Sequence, residues 1–204
     1  MLKNLINGII AGIAISLGGG VFLAMLPENK LAGAVLFAVA LLCICMKGYN
    51  LYTGKICYMP LKHGKEQFSV LLLGILGNLI GTFVCGTLLR YGIPTMGETA
   101  LNMCQGKLDQ TFFQTLIRGI FCGILIYLAV DVYGKNKSIA GIVFCIPVFI
   151  MSGYEHSIAD MFYFSASGIV SLKACGFLWT VILGNSIGGM LIPVLRLAGG
   201  IKDE

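Results

Sequence analysis

Interrupting a hydrophobic segment with glycine and polar groups is costly, and this chain does it twice. Lys47 to Gly54 reads Lys-Gly-Tyr-Asn-Leu-Tyr-Thr-Gly and Ser152 to Ser157 reads Ser-Gly-Tyr-Glu-His-Ser, each set inside a long apolar run. Backbone released from helical hydrogen bonding at membrane depth is tolerated only where it is buried in protein or lines a cavity. Gly48-Tyr49 precedes Gly153-Tyr154 by 105 positions, and Gly77-Asn78-Leu79-Ile80-Gly81 precedes Gly184-Asn185-Ser186-Ile187-Gly188 by 107. Gly8 and Gly12 precede Gly119 and Gly123 by 111. Three motifs in the same order at nearly one offset predict an internal duplication, with repeat 1 at about 1-92 and repeat 2 at about 109-198 of a single domain spanning 1-204.

The apolar runs read as membrane spans because 57% of the residues are hydrophobic, only 11% are charged, and the mean hydropathy is +0.91, too apolar for a soluble domain of 204 residues. Scanning for stretches of about 17 to 25 apolar residues gives six: about 5 to 26, 31 to 46 with a short piece on to 60, 67 to 91, 111 to 133, 138 to 152, and 173 to 198. A polar connection over 91 to 110 joins the halves. The first run takes part in the repeat and lacks a small-residue cleavage site, so it is expected to be a transmembrane helix rather than a signal peptide.

Three crossings per half force the halves to enter the membrane from opposite faces. The expected architecture is all-α, six transmembrane helices as two inverted three-helix repeats, with helices 2 and 5 broken near the midplane, where substrate sites of such folds lie. With the N-terminus inside, Lys3, Lys55, Lys62, Lys65, Lys135, Lys137, Arg196 and Lys202 fall on the cytoplasmic side, and Lys30, Arg90, Lys107 and Lys173 outside. Both termini are therefore expected in the cytoplasm of a cell whose inner membrane holds the chain.

The net charge of +5 belongs to these loops, and the sequence carries no nucleic-acid motif. The eight cysteines sit largely in apolar runs without metal-ligand spacing. No cofactor motif, nucleophile elbow or phosphate loop is present, which argues against an enzyme.

Ionisable groups within apolar stretches line water-filled paths or pair with each other. Glu155, His156 and Asp160 are such groups; their bland reading is two acids bracing a kink beside a neutral histidine. For a small anion at the midplane, His156 is the residue of the second break able to become cationic near neutral pH. Thr53 in the first break offers a hydroxyl. Lys107, in the polar connection, can draw anions toward the mouth, or simply be a solvated loop lysine.

The run Ser152-Gly153-Tyr154-Glu155-His156-Ser157-Ile158-Ala159-Asp160-Met161-Phe162 closely resembles the Ser-Gly-Phe-Glu-His-Ser-Ile-Ala-Asn-Met-Phe signature of the formate/nitrite transporter family, and Leu51-Tyr52-Thr53-Gly54 resembles its Leu-Phe-Thr-Gly loop. The similarity extends through the glycines of the first helix, Arg118-Gly119-Ile120 and Gly184-Asn185. The resemblance implies an aquaporin-like fold, a homopentamer in the lipid bilayer with one pore per protomer, and small monovalent anions such as formate, nitrite or hydrosulfide as substrates. It also implies that His156 is the central pore histidine, Glu155 the acid before it, Thr53 the facing threonine and Lys107 the outer-vestibule lysine. Phe37, Leu41, Leu51, Tyr52 and Phe149 match constriction positions. Four departures stand out, one of them Lys47 beside the first break. Gly123 occupies the place of a vestibule asparagine, Asp160 that of the signature asparagine, and Asn50 that of a common acid. The competing expectation from the paired breaks is an aquaporin-like channel for a small neutral solute, although the Asn-Pro-Ala pairs of that family are absent.

Overall fold

The computed structural model describes residues 1–62 and 64–201; Lys202, counted above for orientation, lies outside them. Among these residues the chain forms nine helices: α1 (Leu2–Met25), α2 (Lys30–Lys47), α3 (Tyr52–Ile56), α4 (Lys65–Gly92), α5 (Pro94–Leu108), α6 (Phe112–Asn136), α7 (Ala140–Met151), α8 (Ser157–Ser167) and α9 (Leu172–Ala198). Five of them, α1, α2, α4, α6 and α9, are long and apolar enough to cross a membrane. The 12 residues of α7 rise only about 18 Å, short of a hydrocarbon core of about 30 Å.

The expected polar connection is largely a helix. Pro94 starts α5 at a position where its missing N–H costs nothing. Gly97, Ala100 and Cys104 are buried on one face of α5, which packs against α8.

Helix α1 lies along α4, and α6 lies along α9. Both contacts are close because glycines leave no side chain between the backbones. A methyl group on Gly12 would come within 2.5 Å of the Asn78 carbonyl oxygen, and one on Gly184 within 2.7 Å of the Leu116 carbonyl oxygen.

Each interruption begins on a glycine in the left-handed region, Gly48 at φ 72° and Gly153 at φ 71°, a conformation that a β-carbon disfavours. The turns match: the Tyr49 N–H donates to the Ile44 carbonyl at 3.1 Å and the Tyr154 N–H to the Phe149 carbonyl at 3.0 Å.

Interrupting a buried helix frees backbone groups, and one asparagine per half takes them up. The Asn78 side chain donates to the carbonyls of Gly8 (2.8 Å) and Asn50 (2.9 Å) and accepts from the Tyr52 N–H (2.9 Å). The Asn185 side chain donates to the carbonyls of Gly119 (2.9 Å) and Glu155 (2.8 Å) and accepts from the Ser157 N–H (2.8 Å). Every partner of Asn185 sits 105 or 111 positions after the corresponding partner of Asn78. Both amides are fully buried, so each satisfies three backbone groups that water cannot reach.

Candidate permeation site

Two cavities lie at opposite ends of α2 and α6. The first, of about 280 Å³, is bounded by Lys30 and Phe37 of α2, Arg118 of α6, and the second interruption with the start of α8. The second, of about 210 Å³, is bounded by Leu41, Ile44 and Cys45 of α2, Val130, Tyr133 and Lys137 of α6, and the first interruption with α3. Their linings correspond at an offset of 105: Gly48 with Gly153, Tyr49 with Tyr154, Leu51 with His156, Lys55 with Asp160, and Tyr58 with Tyr163.

The two cavities are separated by buried side chains. On the first side Phe37 meets Phe149 edge to face with centroids 6.3 Å apart, and Phe149 stacks on the His156 ring at 5.9 Å. On the second side stand Leu41 and Leu51, each 2% exposed. The polar pair within this partition is Thr53 and His156, with Thr53 Oγ1 2.9 Å from His156 Nε2.

The hydrogen bonds of His156 fix its tautomer. It caps α8, and its Nδ1 accepts the Ala159 N–H at 3.2 Å, so Nδ1 carries no proton. The proton of the neutral ring is then on Nε2 and is donated to Thr53 Oγ1. Protonating Nδ1 would break the cap and set a cation at the positive end of a helix. The arrangement therefore favours a neutral histidine whose Nε2–H is donated to Thr53.

Lys107, from the last turn of α5, reaches into the first cavity with its side chain only 13% exposed. Its Nζ pairs with Glu155 Oε2 and, at 2.9 Å, with Asp160 Oδ1. Gln110 Nε2 donates to the other oxygen of Glu155 at 2.7 Å. Burial works against the ammonium charge, but the carboxylates of Asp160 and Glu155 outweigh it and hold Lys107 above the ordinary lysine range.

Several expectations change on this geometry. Lys107 is not a solvated loop lysine; α5 folds back onto α8, and its charge is spent on two acids. Tyr52 lines neither cavity. Its hydroxyl lies 2.9 Å from Ser186 Oγ on α9 and its N–H is taken by Asn78, so it braces the first interruption. Gly123 is not a vestibule position: it faces the α9 backbone, where a methyl group would lie 2.7 Å from the Gly189 nitrogen. Phe37 and Phe149 take the side of the first cavity, Leu41 and Leu51 that of the second. Sequence reasoning missed Gln110 as a partner of Glu155, and it missed Lys55 and Lys137 as the cations of the second cavity, having counted both only for orientation.

The same fold occurs in solved channels. The chain superposes on an FNT family ion channel with a TM-score of 0.88, over 98% of this chain and 91% of that one, at 21% identity. On a pentameric formate channel with formate bound the TM-score is 0.80, over 98% of both chains, at 23% identity. At the level of sequence, residues 1–198 match the family described as formate/nitrite transporter. The chain is 30% identical to the uncharacterized transporter YrhG of Bacillus subtilis (strain 168), over 94% of this chain and 79% of that protein. It is also 30% identical to the nitrite transporter NirC of Escherichia coli (strain K12), over 75% of this chain and 65% of that protein. Formate-nitrite transporter 2 of Toxoplasma gondii is again 30% identical over 81% of this chain, which spans 40% of that protein's length. The chain is thus a multi-pass membrane protein whose relatives are transporters and channels rather than enzymes. It belongs to the formate/nitrite transporter family.

Proposed function

We propose that this protein passes a small monovalent anion of the formate, nitrite or hydrosulfide kind across the membrane together with a proton, as the conjugate acid, through the partition between the two cavities. The observation that carries this reading is the partition itself. Phe37, Phe149, Leu41 and Leu51 offer nothing to replace the hydration of a bare anion, whereas a neutral acid loses far less on leaving water. Within that apolar layer the Thr53 hydroxyl and the Nε2–H of His156 supply a donor and a relay at the one point where a small polar solute needs them.

The finer architecture is part of the same proposal. Helices α2 with α3, and α7 with α8, act as the two broken spans of an aquaporin-like, six-span inverted repeat, with about 1-92 and 109-198 as its halves and 1-204 as one channel domain. The matched cavity linings and the matched asparagines support this. A homopentamer with one pore per protomer, drawn from the resemblance to a pentameric formate channel, and cytoplasmic termini in the cell membrane, drawn from the lysine and arginine count, complete it. On that orientation the first cavity faces outward and the second inward.

The deciding experiment is proteoliposome flux of formate, nitrite, hydrosulfide and water measured side by side. At least one of the three anions should move faster than in empty liposomes, and faster as the pH on the donor side falls. Rapid water flux with none of the three moving would replace this reading by the aquaporin-like neutral-solute channel.

A further inference from the structure

Behind the exposed rim residues Lys30 and Arg118, the first cavity buries an uneven set of charges. One ammonium, Lys107, faces two carboxylates, Glu155 and Asp160, and the three side chains are 13%, 3% and 1% exposed. Three of the four carboxylate oxygens have partners: Glu155 Oε2 and Asp160 Oδ1 take Lys107, and Glu155 Oε1 takes Gln110. Among the described residues, Asp160 Oδ2 is buried and has no hydrogen-bond partner. With both acids ionised the cluster would carry an uncompensated negative charge, one end of it on a buried carboxylate oxygen unpaired among the described residues. Two acids crowded into one buried site relieve both problems by retaining one proton between them.

Other groups around Asp160 do not supply the missing positive charge. Cys104 on α5 and Cys122 on α6 are buried thiols. Tyr163, one turn along α8, has its ring 5.9 Å from the Lys107 Nζ. Neutral His156 has both nitrogens engaged. Arg118 and Lys30 stand exposed at the rim, and Arg90 of α4 lies at the far end of α8, against Gly168.

We propose that Glu155 and Asp160 share one proton at neutral pH, and that this proton is handed to the permeating anion in the first cavity. The inference rests on the conjugate-acid reading above. His156 cannot be the donor in this geometry, since losing its single ring proton would leave an imidazolate. In the transfer the carboxyl O–H bond breaks as the bond from the proton to the anion forms. The electron pair stays on the carboxylate, which Lys107 and Gln110 hold, and the neutral acid moves on between Phe37 and Phe149. A hydronium ion from the adjoining solution then restores the shared proton.

Infrared difference spectroscopy of the lipid-reconstituted protein tests the proton directly. The wild type should show the carbonyl stretch of a protonated carboxylic acid at neutral pH. Either Asp160→Asn or Glu155→Gln should abolish it, because each leaves one carboxylate matched to one ammonium. Absence of that band from the wild type, or its survival in both variants, would overturn the proposal whether or not the protein transports anything. For the transfer step, acidification-driven formate flux in Asp160→Asn should lose most of its pH dependence. An unchanged pH profile at matched insertion would mean the proton is held but not passed on, and would overturn that half. If no substrate moves at all, the conjugate-acid reading fails while the infrared result still decides the shared proton.

Discussion

The two interruptions of this protein share one backbone arrangement and present opposite chemistry to the cavities beside them. Gly48 and Gly153 open the interruptions at the same backbone angle, and Asn78 and Asn185 stitch them to the neighbouring helices through equivalent bonds. The cavity-facing positions then diverge: Leu51 where the other half has His156, and Lys55 where it has Asp160. Asn50 likewise stands in the place of Glu155. The difference separates two physical demands. Freed backbone groups in an apolar interior must be satisfied in a fixed way, whatever the half. Side chains that face the cavities are under no such backbone demand, and they are free to differ. The first cavity consequently carries paired buried acids with Lys107, besides Lys30 and Arg118 at its rim, and the second carries Lys55 and Lys137 among tyrosines.

The shared scaffold is most sharply tested at its two asparagines. Asn78→Ala and Asn185→Ala each strand three buried backbone groups at about 1–3 kcal/mol apiece, so both should lose several kcal/mol and fail to yield stable protein in detergent. Thermal melting of the two variants beside the wild type measures this. A large loss in one half with a neutral result in the other would break the equivalence.

Next in size is the contrast between lysines. Lys107→Ala leaves the buried acid pair Glu155 and Asp160 without its cation and should destabilise the fold by about 3–5 kcal/mol, an effect insensitive to salt. Lys55, half-buried and with no carboxylate in ion-pair range among the described residues, should tolerate alanine with a change in stability below about 1 kcal/mol. Melting curves at low and high salt separate the two cases.

The smaller effect sharpens the comparison in function. If the Lys55 cavity gathers anions by their charge, Lys55→Ala should slow capture from that side by a factor on the order of 10 at low ionic strength. At about 1 M salt, where screening acts over about 3 Å, the defect should vanish. Flux from that side, measured in oriented vesicles, would show it; equal loss at both ionic strengths would make Lys55 a packing residue.

What the sequence made legible follows the same division. Gly48, Gly153, Asn78 and Asn185 are readable because a glycine or an amide inside an apolar run is locally anomalous, and its recurrence at one offset needs no structure to be seen. The burial of Lys107 is not local information. Its partners lie 48 and 53 positions away, and only the packing of α5 onto α8 brings them together. A proline such as Pro94 suits the first turn of a helix, but the polar sequence that follows reads as a connection because it is too short of apolar residues to register as a span. The bracing role of Tyr52 and the packing role of Gly123 depend on which way one helix face turns, and motif matching carries no such information.

The claim that joins these observations is that the solute crosses as a neutral acid past Thr53 and an uncharged His156. Simultaneous recording of formate uptake, luminal pH and current in proteoliposomes addresses it most directly. The account predicts one proton entering with each formate and no net charge movement. Formate uptake that carries current without acidifying the lumen would contradict it.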